Sequence, residues 1–72
     1  MKMTTVEKIE FLRRRRGLKK GDLAAATGQT RQNLSNKYDR GNFSEKELSG
    51  FAEALGCELK ITFVDKQTGE EI

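Results

Sequence analysis

The sequence predicts a mainly α fold: a bundle of four, at most five, short helices followed by a C-terminal β-strand or hairpin. Apolar residues recur at helical spacing in several stretches, and each stretch lies between a capping residue and a glycine. After Gly56 the spacing changes to alternation, which is typical of a half-buried strand. The 72 residues suffice for one small domain, and no proline, repeat or low-complexity linker divides them.

The first two helices are predicted from their ends. A capping box formed by Thr4 and Glu7 opens the first helix, and Gly17 closes it. The apolar positions behind this box are Val6, Ile9 and Leu12. Leu18 then opens a shorter second helix, which Gly28 closes because glycine adopts the left-handed conformation of a helix stop.

The third helix is predicted over about residues 31–39. Thr30 is the residue type that caps a helix, and Gly41 stops the helix at its other end. Leu34 and Tyr38 are four positions apart, so they share one face of the helix. We expect that face to point into the core.

The fourth helix carries the clearest local signals. Ser44 and Glu47 form a second capping box, and Phe43 with Leu48 occupy the two positions of a hydrophobic staple. The apolar positions of this helix are Leu48, Phe51, Ala52 and Leu55. Their spacing of i, i+3, i+4 and i+7 predicts one buried face, and Gly56 supplies the stop.

The tail after Gly56 is predicted to form a strand over residues 58–64. Its apolar residues, which alternate with polar ones, are Leu59, Ile61 and Phe63. Residues 65–69 are rich in turn formers, and residues 70–72 begin a return strand. A lone hairpin is barely stable in water, so we expect it to lie on the helices, to pair with another chain, or both. Two copies of an edge strand can pair about a two-fold axis, so the three apolar residues are predicted dimer contacts.

The charge is divided unevenly along the chain. The net charge is +3, but the part through Gly41 carries +7 and the remainder carries −4. A basic block joined to an acidic block favours nucleic acid over a membrane as the partner of one surface. The alternative is an ordinary solvated, charged surface.

The composition excludes several classes of function. Cys57 is the only cysteine and histidine is absent, so an internal disulfide is impossible and a zinc site of the usual kind is nearly excluded. We expect no metal, no cofactor and no enzymatic activity, because no nucleophile–base pair or phosphate-cradling loop is visible. No apolar run is long enough for a membrane span and no signal segment follows the start, which predicts a cytoplasmic protein.

The segment of residues 20–39 has the pattern of a helix-turn-helix. Ala24 allows the two helices to approach closely, Gly28 permits a sharp turn, and Leu34 anchors the second helix in the core. We therefore predict a helix-turn-helix domain over residues 1–56, with residues 57–72 as an extension of the same domain.

This segment resembles the helix-turn-helix family of phage Cro proteins and lambda-type repressors. The matching residues are Leu18, Lys20, Leu23, Ala24, Gly28, Thr30, Leu34 and the helix end Ala54-Leu55-Gly56. The resemblance covers residues 6–56, and the stretches 33–37 and 42–44 look like a subgroup of small bacterial and prophage regulators. It implies a compact four-helix bundle whose third helix enters the DNA major groove.

The sequence departs from the family pattern at three places. Thr27 and Gln29 stand where the family often has apolar residues beside the glycine. Lys37 occupies a position where a core residue is common, and we expect Tyr38 to take over that packing. Gly41 follows the third helix one residue later than in typical members.

The resemblance and the chemistry of the side chains together predict the DNA contacts. The expected base contacts are Thr30, Arg31, Gln32, Ser35 and Asn36, and the expected backbone contacts are Lys19, Lys20, Lys37, Arg40 and Asn42. Arginine can bond guanine through two hydrogen bonds, and glutamine or asparagine can do the same for adenine. By resemblance, Arg13 pairs with an acid after the third helix, here Asp39. Residues 14–16 are expected to be solvated or to contribute general electrostatic attraction.

Two functions follow as hypotheses. The first is a sequence-specific DNA-binding regulator, most simply a repressor, that binds a palindromic operator as a homodimer with third helices about 34 Å apart. The alternative is an antitoxin or adaptor whose C-terminal strand binds a partner protein by strand addition.

Overall fold

The computed structural model describes residues 2–72, so residue 1 of the predicted domain lies outside the described part. Within that part the chain forms four helices: α1 (Thr5–Arg15), α2 (Lys20–Ala26), α3 (Arg31–Arg40) and α4 (Glu45–Ala54). The mainly α class and the order of the four helices are therefore confirmed. The helix ends show which local signals determine the bounds.

Both predicted capping boxes are formed. In α1 the Thr4 hydroxyl accepts the Glu7 N–H at 3.1 Å, and the Glu7 carboxylate accepts the Thr4 N–H at 2.9 Å. In α4 the equivalent distances between Ser44 and Glu47 are 3.1 and 3.3 Å. Each box supplies partners for backbone N–H groups that a helix start leaves unpaired, so both helices begin where the sequence predicts.

The other two helices differ slightly from their predicted bounds. α2 begins at Lys20 rather than Leu18, and the Asp22 carboxylate accepts the Lys19 N–H at 2.9 Å just before the first turn. α3 ends at Arg40, one residue later than predicted. Gly41 follows with φ +63°, the left-handed conformation that glycine adopts without strain.

The core is small and lies between all four helices. Its buried members are Ile9, Leu23, Ala24, Leu34, Phe51 and Leu55. Leu34 is 0% exposed, so its side chain fixes α3 against the bundle. Tyr38 is half-buried beside the same cluster, as the sequence predicts. The Phe43 ring meets the Phe51 ring edge to face, with 5.6 Å between centroids, which ties the start of α4 to its own core face.

A polar cluster joins α1 to α3, and it corrects the predicted partner of Arg13. Arg13 donates to the Glu10 carboxylate at 2.7 and 3.0 Å and to the Leu18 carbonyl at 2.7 Å, whereas Asp39 is exposed. Glu10 is three residues away on the same helix, so it reaches the guanidinium without any tertiary rearrangement. The Tyr38 hydroxyl donates to the same carboxylate at 2.9 Å, which connects the two helices.

Arg16 also departs from the expectation that residues 14–16 are merely solvated. Its Nε donates to the Leu55 carbonyl at 2.9 Å, where α4 ends. The last carbonyls of a helix lack partners within the helix, and a guanidinium is well suited to supply one. Arg14 and Arg15 remain exposed, and the Arg15 guanidinium stacks 4.5 Å from the Phe11 ring centroid.

The predicted strand over residues 58–64 does not form in the described structure, so a strand containing Leu59, Ile61 and Phe63 is a wrong prediction for the single chain. The tail instead has an isolated antiparallel bridge between Val64 and Glu71. A strand needs a hydrogen-bonded neighbour along its length, and one copy of the chain supplies it only near the turn.

The molecule is elongated, and the surface of its tail is partly apolar. The described residues extend over 43 × 23 × 23 Å. The exposed large apolar side chains of the tail are Ile61, Phe63, Val64 and Ile72. Leu59 is half-buried and lines a groove with residues of α1 and α4. The tail therefore divides into a part that lies on the helices and a part that is largely solvated.

Replacing Leu34 by alanine is expected to lower the free energy of unfolding by about 2–5 kcal/mol, because it opens a cavity in a core of six residues. Met3→Ala, at a side chain that is 40% exposed, is the control and should change stability by less than about 1 kcal/mol. Chemical denaturation followed by circular dichroism measures both values. Equal losses would show that Leu34 does not anchor α3.

The carboxyl of Glu10 is expected to make stability sensitive to acid. Its hydrogen bonds, first from Arg13 and then from Tyr38, lower its pKa in the folded chain. The stabilisation is complete above the unfolded pKa of about 4.3 and is lost as the pH falls through the lower folded pKa. Urea denaturation of the wild type and Glu10→Gln should therefore give a difference that shrinks between about pH 7 and pH 3. A difference that is the same at both values would contradict this role.

Candidate nucleic-acid interface

The turn between α2 and α3 is held by its own hydrogen bonds. Gly28 has φ +70°, and the Gln29 N–H donates to the Ala24 carbonyl at 2.9 Å. The Thr27 hydroxyl donates to the carbonyls of Leu23 and Ala24, at 2.9 and 3.1 Å. The Gln29 amide in turn donates to the Thr27 hydroxyl at 2.7 Å. These two polar residues therefore replace the apolar pair that the family often has beside the glycine.

α3 presents two different faces. Leu34 is fully buried and Tyr38 is half-buried on the inner face, while the opposite face is polar and exposed. The Thr30 hydroxyl accepts the Asn33 N–H at 3.1 Å, which caps the helix at the predicted residue. The first turn of α3 is consequently both anchored by the core and open to solvent.

The predicted base contacts lie together on this exposed part of α3. Thr30, Arg31, Gln32 and Asn36 are exposed, and Ser35 is half-buried. The Gln32 amide donates to the Asn36 side-chain oxygen at 3.2 Å, so the two side chains are already aligned along one turn. Among residues 2–72, Arg31 takes part in no ion pair, which leaves its five N–H donors available.

The predicted backbone contacts at the start of α2 line an open groove. This groove has a volume of about 500 Å³ and is bordered by Arg13, Lys19, Lys20, Gly21, Asp22 and Arg31. The guanidinium of Arg13 is already bound to Glu10, so the unpaired positive charge comes from the two lysines and Arg31. An anionic phosphate oxygen is the group that such a rim attracts.

Lys20 is more constrained than Lys19. Its ammonium lies 5.0 Å from the centroid of the Tyr38 ring, within the range of a cation–π contact. Lys20 is half-buried, whereas Lys19 is exposed. Burial, followed by the hydrogen bond to Glu10, raises the pKa of the Tyr38 phenol, which is neutral at physiological pH even at its ordinary pKa of about 10.

Lys37 is placed differently from the other predicted backbone contacts. Its ammonium forms an ion pair with Glu47 at 2.9 Å, and the Lys37 side chain is only 25% exposed. This lysine, and next the Ser44 N–H, lower the pKa of the Glu47 carboxyl. Lys37 therefore joins α3 to the start of α4. Its position three residues after Leu34, on the inner face, is the signal in the sequence that points to this role.

The last two predicted backbone contacts lie at the far end of α3. Arg40 and Asn42 are both exposed, on either side of Gly41. Lys19 and Lys20 belong to the start of α2, where the Lys20 ammonium lies 5.0 Å from the Tyr38 ring centroid and the groove also reaches Arg31. Basic and polar side chains thus border the exposed face of α3, and groups of this kind can bind backbone phosphates.

Residues 2–72 contain no group of three or more side chains that could hold a metal ion. None of the helices in this range is both long and apolar enough to cross a membrane.

The sequence profile of the Cro/C1-type HTH DNA-binding domain matches residues 8–60. The matched span contains most of α1 and all of α2, α3 and α4. Searches of curated proteins and of solved structures gave no significant match. The predicted resemblance is confirmed over more than half of the chain, and the protein belongs to the family of Cro/C1-type (XRE-type) helix-turn-helix DNA-binding domains.

Proposed function

We propose that the protein is a sequence-specific regulator of transcription that binds a palindromic operator in double-stranded DNA as a homodimer. The observation that carries this proposal is the exposed polar turn of α3, which Leu34 anchors from the inside and which basic residues of α2 and α3 border. Repression is the simplest mode of action, because a protein bound at a promoter is enough to block transcription from it.

Base recognition is assigned to the first two turns of α3. Arg31 donates two hydrogen bonds to guanine O6 and N7. The amide of Gln32 or Asn36 donates to adenine N7 and accepts from the adenine N6 amino group. Thr30 and Ser35 lie beside these residues on the same helix and can bond to several bases through their hydroxyls. The Gln32 amide donates one N–H to the Asn36 oxygen, so Gln32 keeps its own oxygen and its second N–H for a base edge. Asn36 keeps both of its N–H donors.

Backbone contacts are assigned to Lys19 and Lys20 at the start of α2 and to Arg40 and Asn42 around the end of α3. Lys37, which the sequence also places among the backbone contacts, is better explained by its ion pair with Glu47. A phosphate would have to compete with that carboxylate for the ammonium. Contacts to phosphate supply affinity that falls steeply with salt, but they carry no sequence information.

A second copy is the proposed partner of the tail. Phe63 and Ile72 exchange two backbone hydrogen bonds, at 3.2 and 2.8 Å, and Asp65 donates to Glu70 at 2.8 Å. Successive residues of an antiparallel strand direct their N–H and C=O groups to opposite edges, so those of Thr62 point to the open edge. The same edge in a second copy can pair with it about a two-fold axis, and the strand predicted over residues 58–64 then forms in the dimer.

The alternative function uses the same edge for a different partner. An antitoxin or adaptor would accept a strand of a foreign protein there, and Phe63, which is 76% exposed, would enter a pocket of that partner. The discriminating measurement is sedimentation of the protein alone. If the protein sediments as a monomer at every concentration tested, the result favours a foreign protein as the partner of the tail.

Selection of bound duplexes from random DNA tests the proposed function directly. We expect enrichment of a palindrome whose half-sites are about one helical turn apart, since each copy places one α3 in the major groove. Enrichment of single half-sites would remove the dimer from the proposal. No enrichment at all, with binding to every duplex alike, would remove sequence-specific recognition.

Arg31→Ala is expected to relax base preference at one position of each half-site by about 1–3 kcal/mol. Lys20→Ala is the comparison, because loss of a phosphate contact should weaken binding to selected and random duplexes alike. Fluorescence anisotropy with both duplexes measures the two effects. Equal losses on both duplexes for Arg31→Ala would remove this residue from base recognition.

Ile61→Glu is expected to abolish the dimer, because it places a charge between two paired tails. Gln67→Glu is the matched control, since it adds the same charge on the exposed turn of the same tail. Sedimentation equilibrium should give a monomer for the first variant and a dimer for the second. A dimer in both cases would show that the tail is not the interface.

A further inference from the structure

The cation–π contact between Lys20 and Tyr38 differs from the ion pairs made by other basic residues of the bundle. Lys37 faces a carboxylate that neutralises it, and so does Arg13. The ammonium of Lys20 instead lies 5.0 Å from the centroid of a neutral ring. A ring face attracts the cation without cancelling its charge, so the ammonium can still donate to an anion on its solvent side.

The Tyr38 ring is itself held from two sides. Its hydroxyl donates to the Glu10 carboxylate at 2.9 Å, and this carboxylate is fixed by Arg13 at 2.7 Å. The ring packs against the buried cluster that contains Leu34. It is therefore a fixed surface of α3 that lies beneath the first residue of α2.

We propose that Tyr38 is the positioning residue for Lys20: its ring holds the ammonium at the rim of the groove that Lys19 and Arg31 share, before DNA arrives. A solvated lysine loses much side-chain freedom when it binds a phosphate. A lysine that already lies on a ring loses less, so the contact is stronger. This inference rests on the proposed function, because it takes the backbone phosphate as the anion.

A double-mutant cycle tests the proposal with the selected duplex and a random duplex of the same length. Tyr38→Leu removes the ring, and Tyr38→Phe keeps the ring while losing the bond to Glu10. In the wild-type background we expect Tyr38→Leu to weaken binding to both duplexes by about two- to fivefold, which is the range of an exposed cation–π contact. Tyr38→Phe should bind within about twofold of the wild type. In the Lys20→Ala background the effect of Tyr38→Leu should disappear.

The salt dependence of binding separates positioning from a purely structural effect. Lys20→Ala should reduce the slope of log affinity against log salt by about one, because one phosphate contact is lost. Tyr38→Leu should reduce the slope by a fraction of that amount and should reduce it no further in Lys20→Ala. A loss of affinity that persists unchanged in Lys20→Ala overturns the proposal, since Tyr38 then acts on α3 alone.

A measurement on the wild type makes the test independent of how well the variants fold. Protons on the side-chain carbons of Lys20 should resonate upfield in the nuclear magnetic resonance spectrum because of the ring current of Tyr38. Ordinary lysine shifts would overturn the inference. If Lys20→Ala changes neither affinity nor salt slope, the phosphate contact proposed for Lys20 is wrong, whereas wild-type binding and Arg31→Ala still report on the proposed function.

Discussion

Burial of Leu34 is the interaction on which the rest of the structure depends. α3 has few apolar residues, and Leu34 is its single fully buried side chain, in a cluster that also contains Leu23 of α2. Burial of one leucine contributes about 1.5–3 kcal/mol, which is a large share of the stability of so small a domain. Because this contact holds α3 from the inside, the opposite face has no packing role and can consist of polar groups directed at solvent.

The basic residues of the N-terminal part divide into two groups: those that bind groups of the protein itself, and those, such as Lys19 and Arg31, whose charge is unpaired among residues 2–72. Arg13, Arg16 and Lys37 bind groups of the protein itself: a carboxylate and a loop carbonyl, the end of α4, and Glu47. The contacts of Arg16 and Lys37 join helices, and those of Arg13 hold the loop after α1. In all three cases the N–H donors that make these contacts are already engaged within the protein and are not free to bind DNA. The charge of +7 through Gly41 is consequently larger than the charge that the α3 face presents. Lys20 lies between the two groups, since it contacts Tyr38 yet keeps its charge.

The features that could be predicted from the sequence are mostly those that depend on residues close together along the chain. The capping boxes of Thr4 and Ser44 join residues three positions apart, and the sequence predicts both. The predicted partner of Arg13 was wrong because the family resemblance was preferred to a local signal: Glu10 lies three positions before Arg13 on the same helix. The strand predicted over residues 58–64 was wrong for the single chain. Alternation of apolar and polar residues indicates which side chains share a face, whereas a strand also requires a hydrogen-bonded neighbour. The identities of the candidate DNA contacts are expected from chemistry, but their exposure and pairing required the fold.

The boundary at residue 60 has a physical meaning for recognition. The family match ends there, and the exposed apolar side chains of the tail begin at Ile61. One α3 offers a few base contacts, each of which discriminates against a wrong base by about 1–3 kcal/mol. This discrimination is too small to select one site from the very many competing sites of a genome. Joining two such helices at a fixed spacing adds the contacts of both half-sites while ordering only one complex. In the proposed homodimer the specificity therefore depends on the contact that joins the two copies, and the tail with its exposed apolar side chains is the segment proposed to make it.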